Sequence, residues 1–285
     1  MAETFERPET RRDVERRLDA LVDENRFTIA VVFPLVGAVL LLASAEGLLP
    51  AILAFNPYLV LMGVLVMRLP LVAGLLPLLD RKAVGALSVL TLYAYVIEYI
   101  GTKTGIPYGD FAYEVPLGPM LFDVIPLGLP VFFLPLVLNS YLLCLLLLGE
   151  RAASVFVRLP AVIATVLAVD LVLDPAAVAL GFWSYGGGVY YGVPLSNYAG
   201  WVLSATVATV LVDVAFDGTE LVRRVRSCPF MLDDLVSFVL LWGAVNAVYG
   251  AAIPVAVALL FGVGLVQLDR FDFAVWNGLP GRPAE

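Results

Sequence analysis

Apolar residues fall in long uninterrupted runs that a water-soluble core could not absorb. The runs cover Phe27 to Ala45, Pro57 to Leu79, Ala83 to Ile100, Val124 to Leu148, Leu159 to Leu180, Gly200 to Phe216 and Leu235 to Leu268. A hydrocarbon layer about 30 Å thick is crossed by about 20 helical residues, so each run predicts a membrane-spanning helix. The last run is too long for one span and predicts a hairpin of two, split near Gly250. The fold class is thus an all-α, polytopic transmembrane helical bundle of about eight spans, with seven as the alternative.

Composition agrees: 61% of residues are hydrophobic and the mean hydropathy is +0.94. The formal net charge of −8 lies almost wholly outside the apolar runs, which argues against a nucleic-acid partner. The sequence has no histidine. Haem-type axial ligation, histidine-based zinc sites and di-iron oxygenase boxes are therefore not expected, and neither a metal nor a cofactor is predicted. Cys144 lies in an apolar run and Cys228 in a basic loop, so no disulfide framework is indicated.

Residues 1–26 carry Arg7, Arg11, Arg12, Arg16, Arg17 and Arg26 among acids, too many charges for a signal peptide. They predict a short amphipathic or disordered cytoplasmic arm, followed by a single transmembrane domain over 27–270 and a tail over 271–285. Lysine and arginine accumulate on the cytoplasmic side of membrane proteins. Placing both termini in the cytoplasm puts Arg81, Lys82, Arg151, Arg158, Arg223, Arg224, Arg226 and Arg270 inside and leaves Lys103 outside. The expected location is the cell membrane.

This topology creates two long outer loops, Gly101 to Asp123 and Gly181 to Ala199, rich in glycine, proline and aromatic residues. Each is too apolar for a solvated linker and too broken for a span. Such segments are expected to pack as re-entrant turns or caps over a cavity, because irregular backbone at membrane depth needs protein or water to satisfy it. Tyr108, Tyr113, Trp183, Tyr185, Tyr190, Tyr191, Tyr198 and Trp201 form either a shaped pocket or an interfacial aromatic belt. Gly186 to Gly188 is not a phosphate loop, for it lacks the lysine and the strand–helix context.

Ionisable groups inside spans cost about 2.5–3.5 kcal/mol at the helix centre and call for an explanation. The candidates are Arg68, Glu98, Asp170, Asp174 and Asp213. Asp170 and Asp174 share a helix face, as do Tyr95 and Glu98, so two acidic faces are expected to converge beneath the loops. Pro175 lacks an N–H and opens the helix ladder beside Asp174. The structural alternatives are that Arg68 neutralises a buried carboxylate, that Glu98 reaches water at its helix end and that Asp213 is solvated at the inner boundary. Asn139 and Asn246 are expected to make interhelical hydrogen bonds.

Three stretches, EYIGTKTGIPYGDFAY (Glu98 to Tyr113) with the following LGPMLFDVIPL, DLVLDP (Asp170 to Pro175) and the Trp183 to Trp201 passage ending YYGVPLSNYAGW, carry a resemblance. In their order and spacing the chain resembles the membrane-bound carotenoid hydratases, a family comprising the carotenoid 1,2-hydratases of bacteria and the bisanhydrobacterioruberin hydratases of halophilic archaea. The acidic composition leans toward the archaeal branch. The resemblance implies a hydro-lyase that adds water to the terminal double bond of a long polyene, giving a tertiary alcohol. On the archaeal reading bisanhydrobacterioruberin is hydrated at each end in turn to bacterioruberin. The implied partners are the lipid-soluble carotenoid, membrane lipids and other membrane enzymes of carotenoid biosynthesis.

The chemistry needs a proton donor, surroundings that tolerate a tertiary cation, and a positioned water with a base. A carboxyl in a low-dielectric pocket supplies the first without histidine, and aromatic faces supply the second. Asp170, Asp174 and Glu98 are the catalytic candidates. Tyr95, Tyr108, Asp110, Trp183, Tyr190, Tyr191, Asn197, Trp201 and Arg68 are the substrate-binding candidates. Two rival readings are an intramembrane prenyltransferase or cyclase of isoprenoids and a proton-coupled transporter. The first is weakened because Asp170-x-x-x-Asp174 has no second acidic copy, Asp233 and Asp234 being adjacent and at the opposite face. The second is weakened because no internal repeat is seen.

Overall fold

A computed structural model describes residues 10–272. Arg7 with the rest of 1–9, and residues 273–285 of the expected tail, lie outside the described residues. The arm contains a helix, α1 (Arg11–Glu24), whose first turn is closed by Asp13 accepting from Thr10 N and Oγ1 at 3.1 and 2.7 Å. It is amphipathic: Val22 is buried while Arg11 donates to Leu76 O at 2.8 Å and Asp19 accepts from Arg224 at 3.1 Å.

The apolar runs become helices. A π-helical turn, Thr28–Val32, runs into α2 (Phe33–Ala45); α3 (Pro57–Leu75), α4 (Arg81–Thr104), α5 (Leu129–Leu148), α6 (Val155–Leu180) and α7 (Leu195–Ala215) follow. A short basic helix, α8 (Gly218–Ser227), then leads to α9 (Asp233–Val248) and α10 (Ala252–Gln267). Polar caps set their starts: Asn56 Oδ1 accepts from Tyr58 N and Leu59 N, and Asp80 Oδ1 accepts from Ala83 N at 2.7 Å. The expected break at Gly250 is real, and its φ of +68° is one a glycine adopts without strain.

Among the described residues, seven helical stretches are long and apolar enough to cross a membrane, from Thr28–Ala45 to Pro229–Val248. The 16-residue α10 is the shorter eighth member, about 24 Å long at 1.5 Å per residue. The fourth apolar run is trimmed at its N-terminal end: the helix begins at Leu129, not Val124, because Ile125–Pro126 is drawn into a β-hairpin with Met120–Leu121.

Helix α5 is the central post. Leu136 through Leu145 are buried on every face, the condition under which a helix is apolar all round. Leu59, Met62, Leu92, Leu259 and Leu260 on outer helices point away from the core, as lipid-facing side chains do. At the end holding α1 and α8, Arg158 pairs with Asp213 at 2.6 Å, and Arg270 donates to Val225 O and Cys228 O at 2.7 and 2.8 Å. At the other end the two glycine–aromatic loops meet and hydrogen-bond to each other.

Candidate active site

That meeting is a two-stranded antiparallel sheet, β1 (Phe111–Tyr113) with β4 (Trp183–Tyr185) once the intervening hairpin strands β2 (Met120–Leu121) and β3 (Ile125–Pro126) are numbered. Its register sets Phe111 opposite Tyr185 and Tyr113 opposite Trp183. Side chains alternate along a strand, so these four rings share one face and Ala112 and Ser184 take the other. Ring centroids lie 6.0 Å apart for Phe111–Tyr185 and 6.2 Å for Tyr113–Trp183. Backbone groups of the two loops are paired with each other, the satisfaction that irregular segments need wherever water is scarce.

The ring-bearing face looks onto the acids. Asp170 and Asp174 lie one turn apart on the inward face of α6, 0% and 4% exposed. Asn197, in the first turn of α7, donates through Nδ2 to Asp170 Oδ2 at 2.9 Å and to Asp174 Oδ2 at 2.6 Å. Tyr185 donates its hydroxyl to Asp174 Oδ2 at 2.9 Å, and Tyr113 donates its own to Glu98 Oε1 on α4. Burial, and next the Glu98 carboxyl, hold the Tyr113 phenol well above its usual range; burial, and next Asp174, do the same for Tyr185. Both therefore stay protonated donors at working pH. Asp170 Oδ1 has no partner among the described residues.

Glu98 and Asp174 line one cavity together with Tyr108, Trp183, Asn197 and Trp201. The cavity and the solvent space it opens to together hold about 1420 Å³ of empty space, and the remaining wall is largely apolar, contributed by α2, α3, α5, α6 and α9. Its deep end is polar. Arg68 donates to Val131 O at 3.1 Å and pairs with Asp234, which also accepts from Asn139 Nδ2 at 2.7 Å. Arg68 thus has the buried carboxylate partner that a guanidinium inside a span demands. Asp233 and Asp234 start α9 away from the loops, as the topology requires, but both are fully enclosed; Asp233 pairs with Arg26 at 2.8 Å.

Tyr108 is wedged between helices. A Cβ on Gly200 of α7 would lie 2.4 Å from its Cδ1, and one on Gly101 of α4 would lie 3.1 Å from its Cδ2. Its hydroxyl meets Ser204 Oγ at 2.6 Å, which Tyr93 also reaches at 3.0 Å. Trp201 stacks on Phe133 with centroids 5.5 Å apart.

Other candidates lie elsewhere. Tyr95 shares the sequence spacing of Glu98 but turns its hydroxyl to Leu127 O at 2.6 Å, outside the cavity wall. Asp110 is exposed and packs over Gly105. Tyr190 donates to Leu171 O at 3.1 Å, and Tyr191 is partly exposed, accepting from Ile253 N at 3.4 Å. Asp213 is held by Arg158 and Tyr141 at the opposite end of the bundle. Asn246 bridges α9 to α6 through Val172 O at 2.8 Å. Missing from the sequence-derived set are the acid-holding roles of Tyr113 and Tyr185 and the hydroxyl pair Tyr93–Ser204. The one available signal was the aromatic–small–aromatic alternation in FAY and WSY.

Comparison with known proteins bears on the same segments. A family model described as a carotenoid biosynthesis protein matches residues 55–265, a range that includes Arg68 and every acid in the cavity wall. The bisanhydrobacterioruberin hydratase of Haloarcula japonica is 65% identical over 275 residues, covering 96% of this chain and 94% of that protein. No solved structure matches the chain. With most of its length inside the family model and a relative this similar along nearly its whole length, the chain belongs to the carotenoid biosynthesis protein family.

Proposed function

We propose that this chain is a carotenoid hydratase, a hydro-lyase that adds water to the terminal carbon–carbon double bond of a long polyene. The substrate we assign is bisanhydrobacterioruberin, hydrated at each end in turn through a monohydrated intermediate to bacterioruberin. The observation that carries this reading is the convergence of Glu98 from α4 and Asp174 from α6 on the wall of one mostly apolar cavity, with Asp170 buried one turn behind Asp174 and joined to it through Asn197. The name and high identity of the Haloarcula japonica relative support it.

In this reading Asp174 or Asp170 protonates the alkene at the carbon that leaves a tertiary cation. Asn197 keeps the two carboxyls in one orientation, and Tyr185 fixes Asp174 toward the cavity. The faces of Tyr108, Trp183 and Trp201 lie in the cavity wall and stabilise the cation by about 0.5–2 kcal/mol per well-placed ring. The partner carboxylate or Glu98 contributes a further electrostatic term and accepts the proton released when water adds. Arg68 and Asn139 close the deep end, where the guanidinium is kept in register by Asp234. Tyr95, Asp110, Tyr190 and Tyr191 act on this reading through the loops and not by touching the alkene.

The arm over 1–26 and the tail over 271–285 flank one membrane domain, and both termini face the cytoplasm. The gathering of Arg11, Arg158, Arg224 and Arg270 at the end of the bundle away from the sheet supports that orientation. Other membrane enzymes of carotenoid biosynthesis are the partners that would deliver the substrate. The test is the pigment profile of cells lacking the protein. Accumulated anhydro carotenoids that return to tertiary alcohols when the gene is restored support hydration, and unchanged pigments contradict it.

A further inference from the structure

The carboxyls in the cavity wall have to meet one end of a polyene that is stiff along its conjugated length. The rest of that length cannot coil up beside the acids. Leaving it in water would cost about 25 cal/mol per Å² of apolar surface, so it has to run out of the cavity into hydrocarbon. The wall therefore has to open sideways between two helices.

One sector of the wall is thinner than the others. Helix α3 packs on α1, α2, α5 and α9, and α4 packs on α5 and α7. Between α3 and α4 stands the segment 117–128 with its β2–β3 hairpin, where the rest of the wall has helices. Leu117 and Pro126 are buried and line the cavity, whereas Phe122 and Leu127 are 72% and 51% exposed on the outside. The helix faces flanking them are exposed and apolar as well, with Met62 and Leu65 on α3 and Leu92 and Val96 on α4, as faces against lipid are. A single layer of chain thus separates the cavity of Glu98 and Asp174 from hydrocarbon.

That layer is built to move as a unit. The β2–β3 hairpin pairs only with itself and is not joined to the β1–β4 sheet. Its fastenings to α4 are side-chain contacts: Tyr95 donates to Leu127 O at 2.6 Å, and Tyr99 meets Phe122 edge to face with centroids 5.9 Å apart. On the α3 side Leu61 lies against Gly128, 3.1 Å from where a Cβ would stand. At the turn Phe122 and Asp123 have φ of +53° and +56°, left-handed values that glycine or asparagine usually supply in a tight hairpin. The closed turn therefore holds strain that opening relieves.

We propose that the polyene enters from the lipid between α3 and α4 by displacing this hairpin, and that its unreacted length lies in the same seam while the end group reacts. The proposal rests on the hydratase reading above and adds the route by which substrate reaches the acids. Tyr95 becomes the latch, its hydroxyl returning to Leu127 O when the hairpin closes.

The experiment uses the full chain in lipid vesicles containing bisanhydrobacterioruberin. In Tyr99→Cys/Phe122→Cys a short bifunctional thiol reagent ties the hairpin to α4, and dithiothreitol frees it. Linking is expected to lower hydration at least about 10-fold relative to the same protein unlinked, with recovery on reduction. Wild type, whose Cys144 and Cys228 are buried, is the control for the reagent. A second readout covers the case in which the double variant folds poorly. The photoreactive residue p-benzoylphenylalanine, placed at Phe122 or at the exposed Leu259 of α10, is expected on illumination to attach carotenoid at Phe122 and to give only background at Leu259. Undiminished hydration by the linked protein overturns the proposal. So does equal labelling at the two positions, which would mean that the link acts by deforming the acid site. A wild-type chain that does not hydrate the carotenoid overturns the hydratase reading itself, while labelling, which needs binding and no turnover, still decides the seam.

Discussion

The hydroxyl of Tyr185 lies 2.9 Å from Oδ2 of Asp174, joining the C-terminal half of α6 to a strand that begins only after the helix has ended. The phenol cannot reach that carboxylate from an ordinary surface loop. It does so because β4 is pinned to β1, and β1 is anchored on α4 through the contact of Tyr113 with Glu98. The sheet is thus the device that carries two phenols onto two acids from helices distant in sequence.

Removing that phenolic hydroxyl isolates its role. Tyr185→Phe keeps the ring against Phe111 and deletes one donor to Asp174, so the chain is expected to fold normally and to hydrate roughly 10-fold more slowly. Turnover of purified protein, with thermal unfolding as the control for folding, checks this. Unchanged turnover would show that Asp174 is oriented by Asn197 alone.

Gly200 is a packing requirement. A Cβ there would lie 2.4 Å from the Tyr108 ring and 3.2 Å from the Pro107 backbone, so the ring or α7 must shift to admit a side chain. Gly200→Val is expected to cost about 1–3 kcal/mol of stability and to displace Tyr108 from the cavity wall, lowering activity with it. Gly85→Ala on α4, where nothing lies within 4 Å of an added Cβ, is expected to leave both unchanged. Unfolding midpoints and turnover of the two variants side by side provide the comparison.

The buried pair Arg68–Asp234 makes a different demand. Arg68→Leu leaves Asp234, fully buried, with Asn139 as its remaining donor, and is expected to destabilise the protein by about 3–5 kcal/mol. Arg68→Leu combined with Asp234→Leu removes both charges and is expected to recover most of that loss. Midpoints of thermal unfolding for the two single variants and the double variant close the cycle. A double variant no more stable than the singles would mean that the pair is not the source of the loss.

Legibility in the sequence follows the range of the forces involved. Spans such as α3 and the break at Gly250 arise from local hydropathy and local backbone freedom, and both are readable from adjacent residues. The pairing of Asp170 with Asp174 is likewise local, one helical turn. The sheet is not, for FAY and WSY are three residues each, their alternation is too short to stand out among glycines and prolines, and their partners are about 70 residues apart. The same holds for Arg68 and Asp234: a charge in a span announces a need, but only the three-dimensional packing names the group that meets it. Tyr95 shows the converse limit. Its spacing from Glu98 is right for a shared helix face, yet the loop carbonyl of Leu127 captures its hydroxyl.

The most direct test is the rate at which Asp174→Asn and Asp170→Asn convert bisanhydrobacterioruberin to its hydrated products, at protein levels matched to wild type. Proton transfer by a positioned carboxyl contributes typically about 10²–10⁴-fold, and at least one of the two substitutions is expected to lower turnover by that order, leaving the anhydro carotenoid unconverted. Wild-type turnover in both would contradict the assignment of proton transfer to these buried aspartates.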